Sequence, residues 1–99
     1  MSKIRDSAKG EECQVRIIGV CNFNPETTVL AHSNRMAAGK GKGLKALDPL
    51  GAYACSACHA LIDGGKLPPG MTRQDVELDF YHGMLRTFVI LVEKGLVRF

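Results

Sequence analysis

Four cysteines in two pairs constrain the fold of this 99-residue chain more than any other feature of its sequence. The pairs are Cys13-x7-Cys21 and Cys55-x2-Cys58. A domain of this length buries only about two-thirds of the surface that its unfolded chain exposes, so a metal or disulfides would add needed stability. Zn²⁺ takes four thiolates in a tetrahedron, and each cysteine pair can supply half of that shell. The spacing therefore predicts a closed, structural zinc site.

Other uses of the cysteines stay open. Buried free cysteines act as small hydrophobic residues, and Cys55-x2-Cys58-His59 also matches the attachment pattern of c-type haem. Haem attachment requires export, but the charged N-terminus lacks the apolar stretch of a secretory signal. No apolar run is long enough to span a bilayer either. We therefore expect a cytoplasmic protein that does not contact a membrane, with reduced thiols rather than two disulfides.

Length and composition predict a single globular domain, residues 1–99, because the chain is neither collagen-like nor wholly disordered in composition. The net charge of +3 is too small by itself to indicate a nucleic-acid partner. Basic residues are concentrated, however, in a glycine-rich stretch at about 33–48, which we expect to be a flexible loop. Its four cations can contact the phosphates of DNA or can simply keep a loop solvated: Arg35, Lys40, Lys42 and Lys45.

The hydrophobic pattern predicts an α+β domain. In chain order we expect a short helix at 2–9, a short strand or cysteine-rich turn at 14–18, strands at 27–32 and 50–54, and a short helix at 55–63. A capping pattern at Thr72 then begins a helix of about 22 residues. Its apolar residues recur every four positions, which predicts a core-facing stripe, with a homodimer interface as the alternative: Val76, Phe80, Met84, Phe88 and Val92, joined by Tyr81, Leu85 and Val89.

Two histidines and an aspartate are candidates for chemistry. On a helix at 55–63, His59 and Asp63 lie one turn apart on one face, away from the cysteines. An imidazole and a carboxylate there can hold a second metal ion that keeps water ligands and acts on phosphate. The same two residues can also form an ordinary solvated helix face. His32, at the end of a predicted strand, can likewise be structural.

The order of these elements carries a resemblance to a known family. A strand that ends in His, a loop, a strand and a helix opened by Cys-x-x-Cys-His resembles the ββα-metal (HNH) endonuclease motif. Across most of the chain, from about residue 5 to 96, the sequence looks like the prophage-encoded nucleases of the Rap/YbcO type. The segments that carry this likeness are Glu12–Ile17, Cys21-Asn22, Asn24–Thr27, Val29–His32, Ala54–His59, Ile62-Asp63, Gly83-Met84 and Arg86-Thr87.

The resemblance implies a small HNH-like domain, stabilised by zinc on the four cysteines and closed by the long C-terminal helix. It also implies that His32 is the general base and that His59 binds a catalytic divalent cation, Mg²⁺ or Mn²⁺. The sequence departs from many HNH enzymes in having Ala31 where an Asp precedes the base, and the middle Asn of the motif is not evident. Asp63 is our first choice for the second ligand and Asp48 the second, and either can instead orient one of the two histidines.

The implied activity is metal-dependent hydrolysis of DNA phosphodiester bonds. Similarity to the family suggests branched recombination intermediates as substrates and phage recombination or replication proteins as partners. Arg86, on the last helix, can reach a phosphate or pair with Glu93 or Asp79. The alternative, favoured by the missing Asp before His32, is a non-catalytic zinc module that binds DNA or a protein.

Overall fold

The computed structural model describes residues 3–32 and 50–97. Within these ranges the chain forms a small α+β structure with a two-stranded antiparallel sheet. The helices are α1 (Lys3–Ser7), α2 (Ser56–Ile62) and α3 (Arg73–Glu93), the strands are β1 (Val29–His32) and β2 (Gly51–Ala54), and Pro25–Thr27 is a 3-10 helix. The predicted α+β class and long C-terminal helix are confirmed.

The predicted basic loop at about 33–48 lies outside the described residues. Five residues with predicted roles also lie outside the described residues: Arg35, Lys40, Lys42, Lys45 and Asp48. Their roles therefore stay predictions. In the ranges that are described, no helix combines the length and apolar character needed to cross a membrane.

The two-stranded sheet is covered on both faces. Leu30 lies opposite Tyr53, and Ala31 lies opposite Ala52. Directly opposed residues share a face and successive residues alternate, so these two pairs point to opposite sides. Leu30 and Tyr53 pack with Leu91 of α3 in one core cluster, whereas Ala31 and Ala52 pack in the cluster that contains the cysteines. Two-sided packing explains why all four residues of β2 are buried.

The outer edge of β2 is closed by side-chain and loop contacts rather than by a third strand. Tyr53 N–H donates to Thr87 Oγ1 of α3 at 2.9 Å, and Gln14 N–H donates to the Tyr53 carbonyl at 2.7 Å. The segment at 14–18, for which the sequence allowed a strand or a turn, is therefore a turn. The backbone of Arg16 has φ +52°, a left-handed conformation that interrupts a strand.

The long helix begins as its sequence predicts. Thr72 Oγ1 accepts from Asp75 N–H at 3.1 Å, and the Asp75 carboxylate accepts from Thr72 N–H at 2.9 Å. This reciprocal pair is a capping box, which satisfies two amides that the first turn of a helix leaves without partners.

The core-facing stripe of α3 differs from the predicted one. Its buried residues are Val76, Phe80, Gly83, Thr87 and Leu91, whereas Leu85 and Val89 are 64% and 57% exposed. Each step of four residues turns about 40° beyond a full circle, so a strict four-residue repeat drifts around the helix. The three-residue step from Phe80 to Gly83 offsets part of this drift and keeps one face on the core, and a small glycine and a threonine belong to that face.

Gly83 marks the closest approach of α3 to the turn at 14–18. A Cβ atom on this glycine would lie 2.9 Å from both Cα and Cγ2 of Val15 and 3.0 Å from the Gln14 carbonyl oxygen. A glycine inside a helix costs about 1 kcal/mol of stability relative to alanine. The close contact with Val15 explains why a glycine is present here despite that cost. The helix thereby supports the segment that presents Cys13.

Candidate metal centre and the exposed face of α2

The structure brings the four cysteines into one cluster. The sulfur atoms of Cys13, Cys21, Cys55 and Cys58 all lie within 4.8 Å of one another. Cys21 Sγ and Cys55 Sγ are 3.8 Å apart, which equals the edge of about 3.8 Å expected for a tetrahedron with Zn–S bonds of about 2.3 Å. The donor set and its spacing thus fit a zinc ion, and the predicted grouping of the two pairs is confirmed.

Backbone geometry on each side of the cluster points amide groups at sulfur. Cys55 is the N-cap of α2, and its Sγ accepts from Cys58 N–H at 3.4 Å. Cys13 Sγ accepts from Arg16 N–H at 3.4 Å, across a turn that the left-handed Arg16 closes. The Arg16 Nε donates to the Cys13 carbonyl at 3.0 Å and holds that turn. Amide donors favour the ionised thiolate, which is the form that binds metal.

The thiols do not ionise equally. A hydrogen bond with Cys58, with help from nearby backbone amides, lowers the pKa of Cys13 to about 4 although burial opposes it. Burial raises the pKa of Cys21 to about 11. The hydrogen bond to Cys13, followed by burial, raises the pKa of Cys58 well above its usual range. Of these three thiols Cys13 therefore ionises most readily, and a bound cation would offset the charge repulsion between its thiolate and those of Cys21 and Cys58.

A network of polar side chains joins the Cys21 turn to the start of α2. Asn22 Nδ2 donates to Ser56 Oγ at 3.1 Å, and Ser56 N–H donates to Thr27 Oγ1 at 3.2 Å. The Asn22 Oδ1 in turn accepts from Asn24 N–H at 2.9 Å. These bonds fix the turn beside the cysteine cluster, so that the long Cys13-to-Cys21 spacing still yields a defined site.

The exposed side of α2 carries His59, and Asp63 follows as the C-cap of the same helix. His59 Nε2 lies 3.2 Å from Asp63 Oδ2, and the two side chains are 39% and 54% exposed. Cys58, the residue directly before His59, is fully buried. The predicted placement of the pair on one face, away from the cysteines, is confirmed. An exposed imidazole and carboxylate at this distance can share a proton or two adjacent positions around a cation.

His32 is the last residue of β1 and is half-buried. It lies opposite Gly51 of β2, and β2 leads through Cys55 into α2. A Cβ atom at position 51 would lie 2.8 Å from the Ala31 carbonyl oxygen, so this end of the sheet depends on a glycine. Ala31 is 1% exposed and belongs to the core. Helix α2 contacts both strands, which makes a strand–strand–helix unit out of the elements that carry the two histidines.

Arg86 has a partner that sequence patterns did not indicate. Its Nε donates to the Gln14 carbonyl at 3.0 Å, and its Nη2 donates to the same oxygen. Neither Glu93 nor Asp79 is the partner in these two bonds. The side chain is thus a brace between α3 and the Cys13 segment, and its predicted contact with nucleic acid stays a prediction.

Two residues beside the cluster were not selected from the sequence. Arg16 and Phe23 both have left-handed backbones, with φ +52° and +54°. Together with Glu12, Cys13 and Pro25 they line a cavity of about 320 Å³. The run Asn22-Phe23-Asn24-Pro25 is typical of a turn. Because turns lie at the surface, a phenylalanine inside this run could have been predicted to be exposed.

Comparison with known proteins agrees with the resemblance stated from the sequence. The family model described as "Putative nuclease YbcO" matches residues 2–96. A protein of Escherichia coli K12 named "Putative nuclease YbcO" and a protein of Enterobacteria phage 82 named "Putative nuclease ybcO" are each 43% identical to this chain over 100 residues. Each alignment covers 99% of this chain and 99% of the relative.

A solved structure agrees with the fold. It is titled "Structure of a putative bacteriophage protein from Escherichia coli str. K-12 substr. MG1655" and superposes with a TM-score of 0.75 at 40% sequence identity. The match covers 94% of this chain and all of the solved chain. By family model, by full-length relatives and by fold, this chain belongs to the YbcO nuclease family.

Proposed function

We propose that this protein is a divalent-metal-dependent endonuclease that hydrolyses DNA phosphodiester bonds at a ββα-metal (HNH-like) centre. In this proposal His32 is the general base, His59 and Asp63 bind the catalytic cation, and the four cysteines hold a structural zinc ion. The observation that carries it is the exposed His59–Asp63 pair, with 3.2 Å between Nε2 and Oδ2. The helix that carries His59 follows β2, and the partner strand β1 ends at His32. The YbcO nuclease family to which the chain belongs supports the same chemistry.

The His59–Asp63 geometry fits a cation such as Mg²⁺ or Mn²⁺. Neighbouring ligands around an octahedral ion at about 2.1 Å are about 3.0 Å apart, close to the 3.2 Å between Nε2 and Oδ2. Two protein ligands are few, but Mg²⁺ usually keeps several waters and takes substrate oxygens as further ligands. When bound, the ion would stabilise the charge that grows on the phosphate oxygens during cleavage. Asp48, our second choice for the carboxylate, lies outside the described residues.

The roles of the protein's own groups follow from this arrangement. His32 takes a proton from a water molecule, and the resulting hydroxide attacks the phosphorus while the bond to the leaving oxygen breaks. Without the ion, the Asp63 carboxylate holds the His59 ring with Nε2 beside Oδ2, so that these two atoms would take the cation as neighbouring ligands. The zinc site stays closed and acts only by holding the turn at Cys13 and the start of α2 in place.

DNA would be held by phosphate contacts that carry little sequence information. The proposed contributors are Arg86 and the cations of the 33–48 stretch: Arg35, Lys40, Lys42 and Lys45. Residues 1–99 would act as a single domain. One such domain has one centre and nicks a strand, so cutting both strands of a junction requires a second copy. Branched recombination intermediates are the proposed substrates, with phage recombination or replication proteins as partners.

The chain offers a matched set of three histidines for the test. The zinc-loaded protein is incubated with supercoiled plasmid or with a four-way junction, in Mg²⁺ or Mn²⁺, alongside His32→Ala, His59→Ala and His82→Ala variants. His82 is exposed on α3, outside the proposed centre, and serves as the control. We expect the parent and the His82 variant to cut and the other two to lose cleavage by about 100-fold or more.

A fully active His32→Ala protein would contradict the proposed centre. Absence of cleavage by a zinc-bound parent that retains DNA would instead support the alternative, a non-catalytic zinc module. The position before the base favours that alternative, since Ala31 offers no ligand. A ratio of junction to plasmid cleavage well above one would support branched DNA as the substrate.

A further inference from the structure

Phe23 is exposed in a way that aromatic residues seldom are. Its side chain is 76% exposed. Within residues 3–32 and 50–97 the other large apolar side chains that are exposed are all aliphatic. Its backbone is left-handed, with φ +54°, a conformation that costs free energy for any residue except glycine. Strain of this kind is often found at functional sites, and it is held here by a structured turn.

The turn that presents Phe23 is rigid. Asn22 Oδ1 accepts from Asn24 N–H at 2.9 Å, and Asn24 Oδ1 accepts from Glu26 N–H at 3.0 Å. The Asn22 amide is anchored on Ser56 Oγ at 3.1 Å. Because the backbone on both sides is fixed, the ring is presented to solvent without a large further loss of entropy on binding.

The same anchor ties the Phe23 turn to the proposed catalytic face. Ser56 and His59 are three positions apart on α2, and Asp63, the C-cap, is four positions further on, so the three residues lie along one side of the helix. The turn is bonded to Ser56, at the N-terminal end of that face, about 4.5 Å along the helix axis from His59. The Phe23 turn therefore lies beside the N-terminal end of the helix that carries His59.

The surroundings of the ring suit a nucleobase better than an apolar protein side chain. The cavity of about 320 Å³ beside it is also lined by Arg16 and Glu12. The Arg16 guanidinium is held in place by bonds to the Cys13 carbonyl at 3.0 Å and Gln14 Oε1 at 3.4 Å. Base edges carry both donors and acceptors, so they can pair with a carboxylate and a guanidinium while the base stacks on an aromatic ring.

We propose that this cavity binds one unpaired nucleobase of the substrate strand, with Phe23 as the stacking surface and Glu12 and Arg16 along the base edge. The proposal rests on the proposed function, whose substrate it specifies as DNA with unstacked or single-stranded bases next to the cleaved phosphate. Bases inside a duplex are already stacked on each other and do not offer a free face. Phe23 is thus a positioning residue, distinct from the groups that act on the phosphate.

The absence of tryptophan in the chain makes this site directly measurable. A Phe23→Trp variant carries a single tryptophan, whose fluorescence is followed during titration with a single-stranded DNA of about 12 nucleotides. Zinc-loaded protein is used without Mg²⁺ or Mn²⁺, so binding is measured without cleavage. We expect the fluorescence of this tryptophan to be quenched to saturation by the single strand, and quenched less at the same concentration of a blunt duplex of the same sequence.

Two further variants measure the contribution of the ring. Phe23→Gly removes it while suiting the left-handed backbone, and it should weaken single-strand binding about tenfold with unchanged thermal unfolding. Phe23→Tyr keeps the ring and should bind as the parent does. Leu85→Trp, at a 64% exposed site on α3, is the fluorescence control and should show no quenching.

The proposal is overturned by Phe23→Trp fluorescence that stays constant while the strand binds, by parental affinity in the Phe23→Gly protein, or by equal loss in the tyrosine variant. A plasmid-nicking assay in Mn²⁺ separates this failure from failure of the nuclease. If the parent cleaves DNA but the Phe23→Trp fluorescence is not quenched, the proposed base site is wrong and the proposed nuclease activity stands. If the single strand quenches the fluorescence but no cleavage occurs, the base site is supported and the proposed nuclease activity is wrong.

Discussion

Cys58 and His59 are adjacent in the sequence, yet they lie in two regions of the molecule with opposite properties. Cys58 is fully buried in a cluster of four sulfur atoms within 4.8 Å of one another. His59 is 39% exposed and has one carboxylate, that of Asp63, at 3.2 Å. One short helix therefore separates a closed donor set from an open one.

If the proposed function is right, stability and chemistry are divided between two sides of one short helix. Four thiolates complete the shell of a zinc ion and leave no position for a substrate. In the proposed function, the two ligands on the exposed face would leave most of a shell for water and phosphate oxygens. The first region should therefore govern folding and the second should govern cleavage, so that a change in one should leave the other property intact.

The largest expected effect is on folding, from Cys58→Ser. Removing one thiolate opens the zinc shell, and structural zinc contributes on the order of 10 kcal/mol to the folding of small domains. We expect loss of stoichiometric zinc and of the cooperative thermal transition. Zinc content by mass spectrometry and unfolding by circular dichroism measure both.

The matched control for that change is Ala60→Ser, which places the same side chain on the exposed side of α2. It should retain zinc and the parental midpoint. Parental stability in the Cys58→Ser protein would show that the cluster is a group of buried free thiols, as the sequence also allowed.

The next largest effect is on cleavage, from Asp63→Asn. The amide is nearly isosteric with the carboxylate but does not carry its charge, so it binds a cation and orients His59 less well. We expect the nicking rate in Mn²⁺ to fall by about 10-fold to 100-fold, with zinc content and thermal midpoint unchanged. Asp79→Asn on α3 is the control, and an equal loss in both variants would contradict the role of Asp63.

A smaller effect on stability is expected from Gly83→Ala. The added methyl group would lie 2.9 Å from Val15 Cα, which is backbone and can yield only if the Cys13 segment shifts. We expect a cost of about 1–3 kcal/mol in the free energy of unfolding and weaker zinc retention against a chelator. The neighbouring His82→Ala change should leave both quantities as in the parent, and a neutral Gly83→Ala would refute the close packing.

The smallest effect is expected from Thr87→Val, at the contact between α3 and β2. Thr87 is fully buried and its Oγ1 accepts from Tyr53 N–H, so valine leaves that buried amide without a partner. We expect the free energy of unfolding to fall by about 1 kcal/mol or slightly more, with zinc binding and cleavage retained. Chemical denaturation measures this loss.

Thr28→Val is the paired control. Thr28 is also buried, but its Oγ1 has no hydrogen-bond partner among the described residues. Replacing that hydroxyl by a methyl group should therefore leave stability equal or raise it. Equal destabilisation by the two changes would show that the Thr87 bond contributes nothing specific.

Local sequence rules predicted the parts of the fold that depend on local chemistry. The Thr72–Asp75 capping box, the helix after Cys55 and the common face of His59 and Asp63 follow from residues a few positions apart. The grouping of the cysteines was predictable because few arrangements use two such pairs.

Features that depend on packing between distant segments were not predictable in this way. The buried face of α3 was predicted correctly at Val76 and Phe80 but misplaced after them, because Gly83 and Thr87 belong to it through contacts with the Cys13 segment and β2. Arg86 bonds to a carbonyl 72 positions away in the sequence, and no pattern within its own helix indicates that partner. The bond between Asn22 and Ser56, which anchors the Phe23 turn, likewise joins residues 34 positions apart.

The most direct test is to measure the rate of plasmid nicking as a function of Mn²⁺ concentration for the zinc-loaded parent and His59→Ala proteins. Zinc content is measured in the same samples, so that the structural and the catalytic metal are followed separately. We predict one zinc per chain in both proteins, a saturable Mn²⁺ dependence in the parent, and a rate at least about 100-fold lower in the variant. Equal rates in the two proteins, or loss of zinc together with loss of cleavage in the variant, would contradict the assignment of the two faces of α2 to two separate metals.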